Sequence, residues 1–473
     1  MWHPVRANSC IRSSASPNGP SATAKFHRRR LGTRPEATRR DGDKNDGQAG
    51  HWTLSVSASK DDDKVPSVPA TSTVPTSTTS RPLTPAPQEP DAPTMSAKLL
   101  LALLSLSVFY FIFYFADANG LRALGDAAQH AQTLPGLDVP LRTRYTGLAP
   151  LDQLLTTLTV FFWPVGDGSQ PALTLHSVAF SGTFASAWIL VTLESWRQGS
   201  AGTAAAFPAV LGLTAQVLTF AFATPLYALL HLCYSTTATS PTATNMRIPH
   251  TVLRALPHVF TVAMFVPSLL MIVPLSETMT HDLKQICIAV WQPWPAYVAV
   301  LLVAAYLVGG RGDADARTTA SALRYVYAFA FANTAVAHLV SVVLSAATVA
   351  VPAIFRAPYR EALHPGNVFA APLPWATPAL QVATVGQGVQ AFLRWDYLIG
   401  SAGVLVWAVS LHRRAHRAAG VEVGLASVLA RVAALSVLAS PAGAAVELMW
   451  EREELFLRDA DADRAKAAAR GKK

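Results

Sequence analysis

Residues Leu99–Phe115 read LLLALLSLSVFYFIFYF, seventeen consecutive positions without a charged side chain. A helix of that length rises about 26 Å, close to the roughly 30 Å of hydrocarbon in a bilayer. The run reads equally as a first membrane span and as an uncleaved signal anchor. Further apolar runs follow at 172–193, 204–232, 252–274, 287–308, 322–351, 397–411 and 423–444. The expected fold is therefore all-α, a polytopic transmembrane helix bundle of about eight spans, seven to nine. Several runs carry internal proline (Pro208, Pro225, Pro257, Pro267, Pro293). Membrane helices tolerate this where neighbours re-satisfy the freed carbonyls.

Composition agrees. Hydrophobic types make up 51% of the 473 residues and charged types 14%, with a mean hydropathy of +0.29. A soluble domain is nearer about a quarter charged. Residues 1–94 dilute the average, being rich in Ser, Thr, Pro, Arg and Asp without hydrophobic periodicity. Such a segment buries too little apolar area to offset its ordering entropy and is expected to be disordered. No apolar core follows its basic residues closely, so it is not a signal peptide. Met95 stands directly before the first apolar run, and is expected to be a native start, or the tail a gene-model extension. The remaining division is a transmembrane domain over 95–450 and a charged C-terminal tail over 451–473.

The net charge of +9 sits largely in the tail (His27, Arg28, Arg29, Arg30) and in a basic segment, His412-Arg413-Arg414-Ala415-His416-Arg417, taken as a loop. Loop charge beside anionic headgroups accounts for it. No aromatic-interleaved basic motif points to nucleic acid, and no nucleic-acid partner is expected. Cys10, Cys233 and Cys287 are too widely spaced for a disulfide framework or a zinc knuckle. Lys and Arg divide between alternate loops without a decisive bias, so orientation stays open.

The short run Leu151–Trp163 breaks at Pro164-Val165-Gly166-Asp167-Gly168 and reads as an interfacial or re-entrant helix. The segment 353–395, with Trp375, Gln387, Gln390 and Trp395, is expected to lie on the membrane over one mouth of the bundle.

Charge in hydrocarbon is costly, so acids at span ends are the informative positions. Glu194 closes the 172–193 run with Arg197 three residues on: an interfacial ion pair, or a cavity-facing proton donor or cation stabiliser. Asp167 is a turn residue, or an acid beside the Phe161-Phe162-Trp163 wall, whose ring faces attract cations. Asp396, flanked by Trp395 and Tyr397, is an interfacial anchor or the same theme repeated, and Glu447 is a weaker instance. His176, His231, His258 and His338 lie on different runs without i, i+4 pairing, so each reads as a hydrogen-bonded bundle histidine. No metal ligand set is expected. Asp61-Asp62-Asp63 lies in the tail, and Asp459, Asp461 and Asp463 alternate with alanine near the C-terminus. A P-loop, a GxGxxG loop and a GxSxG elbow are all missing.

The composite of Leu151-Asp152-Gln153-Leu154, Phe161-Phe162-Trp163-Pro164, Asp167-Gly168 and Leu193-Glu194-Ser195-x-Arg197 resembles the fungal membrane-bound terpene cyclases of the ascofuranone type. These are grouped with membrane proteins of the citreoviridin and aurovertin pathways, described as epoxide hydrolases or cyclases. The resemblance covers about 96–450. It implies cofactor-independent, acid-initiated closure of a prenyl chain or its terminal epoxide inside the bundle. On that reading Asp167, Glu194 and Asp396 are the acids or cation stabilisers, and Phe162, Trp163, Trp395 and Tyr397 the aromatic wall. The substrate is a lipophilic prenylated aromatic or a polyene epoxide, and the compartment the endoplasmic reticulum or another endomembrane. An epoxide hydrolase or cyclase acting on a polyketide polyene, and a metabolite transporter, are the alternatives.

Overall fold

A computed structural model describes residues 92–309 and 316–470, with side chains over 95–309 and 318–457. The tail, including Met1–Asp91 and its Asp61–Asp63 run, lies outside the described residues, as do the side chains of Asp459, Asp461 and Asp463.

Twelve helices carry the architecture: α1 Met95–Ala118, α2 Leu121–Ala131, α3 Ala149–Gly166, α4 Pro171–Ser195, α5 Pro208–Leu218, α6 Phe220–Tyr234, α7 His250–Ile272, α8 His281–Trp291, α9 Trp294–Gly309, α10 Ala316–Ala350, α11 Val385–Ala418 and α12 Leu425–Arg470. Among the described residues there is no named strand. Six helices (α1, α4, α7, α10, α11, α12) are long and apolar enough to cross a bilayer, and α8 with α9, bent by 58°, makes a seventh. Their outer faces keep large apolar side chains exposed, such as Leu103 and Leu106 on α1, Val343 on α10 and Val437 on α12. Water would penalise such faces, whereas lipid accepts them.

Helix α4 is the centre of the bundle, buried along most of its length and packed by α10, α11 and α12. Gly182 permits the closest approach: a Cβ there would stand 2.5 Å from the Ala337 Cβ of α10.

The apolar run 204–232 is not one span. It divides at Thr219, whose φ of 81° is a left-handed value that a β-branched residue adopts only at a cost. No glycine marks the break. Thr219 Oγ1 accepts from Phe222 N at 3.3 Å, and Asp396 Oδ1 accepts from Ala221 N at 2.6 Å, so two donors freed by the break are satisfied. Gly400 and Gly403 of α11 lie against Phe220 and Pro225, which lets Asp396 reach the α6 N-terminus. The same device recurs in α12: Ser440 has φ 79°, Pro441 follows, and Ser440 Oγ accepts from Gly443 N at 3.1 Å.

Three further boundaries shift. The span expected at 397–411 is the middle of a 34-residue helix, and His412–Arg417 are its last turns rather than a loop. The expected boundary at 450 falls inside α12, and Arg452 and Glu453 beyond it are buried. The segment expected at 353–395 stops at 384, where α11 begins, and 352–384 holds three short helical segments, Pro352–Ile354, Ala357–Ala362 and Pro365–Phe369, and coil.

Candidate active site

Where α4 ends, four charged groups meet out of solvent. Arg197 Nε donates to Glu194 Oε1 at 2.6 Å, and its Nη2 to Glu453 Oε2 at 2.5 Å. Arg452 Nη1 donates to the same Glu194 Oε1 at 2.9 Å. Arg197 also donates to Met246 O (2.6 Å) and Tyr327 Oη (3.2 Å), and Arg452 to Thr237 O (2.9 Å), while Arg452 Nε is buried without a partner. Burial works against the Arg197 charge, but Glu194 and then Glu453 outweigh it and hold the guanidinium well above its ordinary value. His231 closes the group. Its Nδ1 accepts from Trp407 Nε1 at 3.2 Å, so the neutral ring carries its proton on Nε2, 3.3 Å from Glu194 Oε2. Arg197 touches both carboxyl groups, whereas Arg452 touches Glu194 alone.

This group borders a cavity of about 1100 Å³. Glu453, Arg197, Thr192 and Ser195 form its polar floor, and Trp188 and Trp294 stand in its wall with ring centroids 5.9 Å apart at 82°. Its edge includes Phe207 and Val210, both 65% exposed on the outer surface of the bundle.

Above the cavity wall, α4 carries an aromatic ladder at four-residue spacing: His176, Phe180, Phe184 and Trp188. Neighbouring centroids lie 6.5, 5.9 and 6.3 Å apart. Tyr397 (6.3 Å from Phe180), Phe220 (5.2 Å from Phe184) and Trp294 (5.5 Å from Phe184) face it from α11, α6 and α9.

The acids expected from the sequence lie at three levels. Glu194 is in the charged group at the cavity floor. Asp396 contacts Ala221, ten residues before His231 on α6, so it sits about 15 Å away along that helix. Asp167 lies beyond the opposite end of the 25-residue α4, in a turn of its own, accepting from Ser169 N at 2.8 Å and Ser169 Oγ at 2.7 Å. The expected aromatic wall divides likewise. Trp163 stacks on His281 (5.9 Å) and Phe162 meets Trp291 edge to face (5.3 Å), both near Asp167 rather than the cavity. Trp395 donates from Nε1 to Pro372 O at 2.8 Å, and Tyr397 stands beside His176 at 5.7 Å. Glu447 pairs with Arg431 at a half-exposed position.

A family model described as the CtvD domain matches residues 97–457. The chain belongs to the CtvD family of fungal terpene cyclases. Among curated relatives, terpene cyclase ctvD of Aspergillus terreus is 29% identical over 75% of this chain and 97% of its own. Terpene cyclase janA of Penicillium janthinellum is 33% identical over 68% of this chain and 85% of its own. Terpene cyclase ascI of Acremonium egyptiacum is 29% identical over 77% and 93%. No solved structure matches the chain. The CtvD match runs past 450 to take in Glu453 and Phe456, which line the cavity, and Arg452, which pairs with Glu194, all three assigned by the sequence to a tail. One signal was available for them: the apolar helical run continues through Met449-Trp450.

Proposed function

We propose that this CtvD-family protein is a membrane-embedded, cofactor-independent cyclase that closes a prenyl chain or its terminal epoxide in the Trp188–Trp294 cavity. The observation that carries the reading is one cavity with aromatic walls, a carboxyl at its floor and an apolar edge. Glu453 is the acid. It lines the cavity and has one guanidinium partner, whereas Glu194 accepts from two and has no proton to give. Glu194 is then a positioning residue that holds Arg197 under Glu453.

In the reaction, the Glu453 proton passes to the epoxide oxygen and the C–O bond to the more substituted carbon breaks. The cation that develops is attracted by the Trp188 and Trp294 faces, more strongly where bound substrate excludes water. An alkene of the same chain attacks it, and proton loss to the Glu453 carboxylate ends the sequence with mass unchanged. On this reading the substrate is a lipophilic prenylated aromatic, and an endomembrane such as the endoplasmic reticulum would deliver it laterally.

A second reading makes Asp396 the acid, supported by its burial, its lack of a guanidinium partner among the contacts above, and the ladder residues Phe220 and Tyr397 beside it.

The test is mass-spectrometric product analysis in microsomes from a host expressing the full chain, fed an epoxidised farnesyl-aryl substrate. A cyclised isomer lost in Glu453→Gln and kept in Asp396→Asn and Asp167→Asn supports the first reading. Loss only in Asp396→Asn transfers the acid role there. A product heavier by one water would replace cyclisation with epoxide hydrolysis, and turnover of a polyene epoxide alone would move the substrate to the polyketide class.

A further inference from the structure

At the C-terminal end of α11, next to the cavity floor, His412 and His416 are one helical turn apart, so both rings fall on one face. Their centroids are 4.1 Å apart and both residues are buried. Glu451 of α12 faces the pair, with Oε2 2.9 Å from His412 Nε2 and Oε1 3.6 Å from His416 Nε2. We propose that His412, His416 and Glu451 form a binding site for a divalent transition-metal ion of the zinc class.

Hydrogen-bond chemistry carries the argument. His416 Nδ1 lies 2.9 Å from the His412 carbonyl oxygen, which can only accept, so Nδ1 carries the proton. Nε2 faces Glu451 Oε1 at 3.6 Å, beyond hydrogen-bond length, and the gap leaves room for an ion between them. The Nδ1–H to carbonyl bond is the outer contact that orients metal-binding histidines. Two ligands about 2.1 Å from a tetrahedral zinc stand about 3.4 Å apart, and the observed 2.9 and 3.6 Å bracket that figure. Within the described residues, the three ligand atoms all lie within 4.8 Å of one another. Glu451 is only 36% exposed, which leaves one side of the triad open for a water as fourth ligand.

Arg431 opposes the ion. Its Nη1 donates to Glu451 Oε2 at 2.7 Å, and its Nη2 pairs with Glu447. Glu447 retains that guanidinium when Glu451 turns to the metal, so the displaced charge stays paired. Bound there, the ion pins the end of α11 to α12 immediately before Arg452 and Glu453. Its role is to fix the register of the cavity floor, and the site stands whichever residue is the acid.

The test uses the full chain purified in detergent without a polyhistidine tag, stripped with a chelator and titrated with Co(II). Wild type is expected to take up one equivalent, with the visible bands of a low-coordinate Co(II) site, and to release it to Zn(II). His416→Gln and Glu451→Gln are expected to lose the bands, while Arg431→Gln binds at least as tightly as wild type. Absence of bands in wild type, together with no zinc by elemental analysis after equilibration, would overturn the proposal and leave a protonated His416 paired with Glu451. Unchanged bands in both folded variants would overturn it too, by locating the metal elsewhere. The wild-type titration decides the matter even where a variant fails to fold.

Discussion

Arg452 reaches across 258 positions of sequence to donate to Glu194 at 2.9 Å, with both side chains fully buried. The pair joins α12 to α4, and Arg197 extends it to Glu453. Removing one partner of such a group leaves the other as an uncompensated buried charge, at a cost of about 3–5 kcal/mol. Arg452→Met is therefore expected to lower the thermal unfolding midpoint in detergent sharply. Arg452→Met with Glu194→Gln should recover part of the loss, because the stranded carboxylate is gone. Equal destabilisation by the single and double variants would show that Arg452 acts through packing alone.

The walls of the cavity predict a graded series. A desolvated cation–π contact is worth about 2 kcal/mol, or roughly thirtyfold in rate. Trp188→Leu should reduce kcat by about that factor, and Trp188→Phe by less, since a smaller ring retains part of the attraction. Trp294→Leu should behave alike, its ring standing 5.9 Å from that of Trp188. KM is expected to move less than kcat, since the contact strengthens as charge develops. A change confined to KM would reduce both rings to apolar filling.

Much of this architecture is readable from sequence, and the part that is not has physical reasons. Apolar length alone locates α1, α4, α7 and α10, because hydrocarbon demands it. The break at Thr219 is hidden, since neither glycine nor proline stands there and the apolar run continues across it. Glu194 and Arg197 are visible as an i, i+3 pair, but an isolated pair reads as a weak surface contact. Its buried character depends on Arg452 and Glu453, which arrive from the other end of the chain within Glu451-Arg452-Glu453-Glu454. Four charged residues in succession read as a solvated tail. Here they divide by helix face, Glu451 toward His412 and Arg452 and Glu453 toward α4.

Ahead of α3, Asp152 organises a loop. Its carboxylate accepts from Tyr145 N, Thr146 N, Thr146 Oγ1 and Gly147 N, at 2.7–3.1 Å. The Thr146 backbone bond, followed by that residue's hydroxyl and the two other amides, holds the carboxyl below its ordinary value in spite of partial desolvation. A depressed carboxyl stabilises the fold above its unfolded value, and the contribution disappears as pH falls through the lower folded value. Cleavage of the 145–147 loop by an acid-tolerant protease should stay slow from neutrality to about pH 4 and accelerate below it. Asp152→Asn should be cleaved quickly at neutral pH as well. A wild-type rate independent of pH would deny the carboxylate this role.

Asp396 allows its helix-capping contact to be separated from acid chemistry. Its Oδ1 accepts from Ala221 N at the broken start of α6, and a buried amide left without an acceptor costs about 1–3 kcal/mol. Asp396→Asn keeps an oxygen where Oδ1 stands, so stability should be nearly unchanged. Asp396→Ala should lose that 1–3 kcal/mol, read as a lower unfolding midpoint. If Glu453 is the acid, Asp396→Asn also retains most turnover, and Asp396→Ala loses activity only in proportion to its unfolded fraction. If Asp396 supplies the proton, the asparagine variant is as stable as wild type and inactive, since an amide accepts the Ala221 bond but has no acidic proton to deliver.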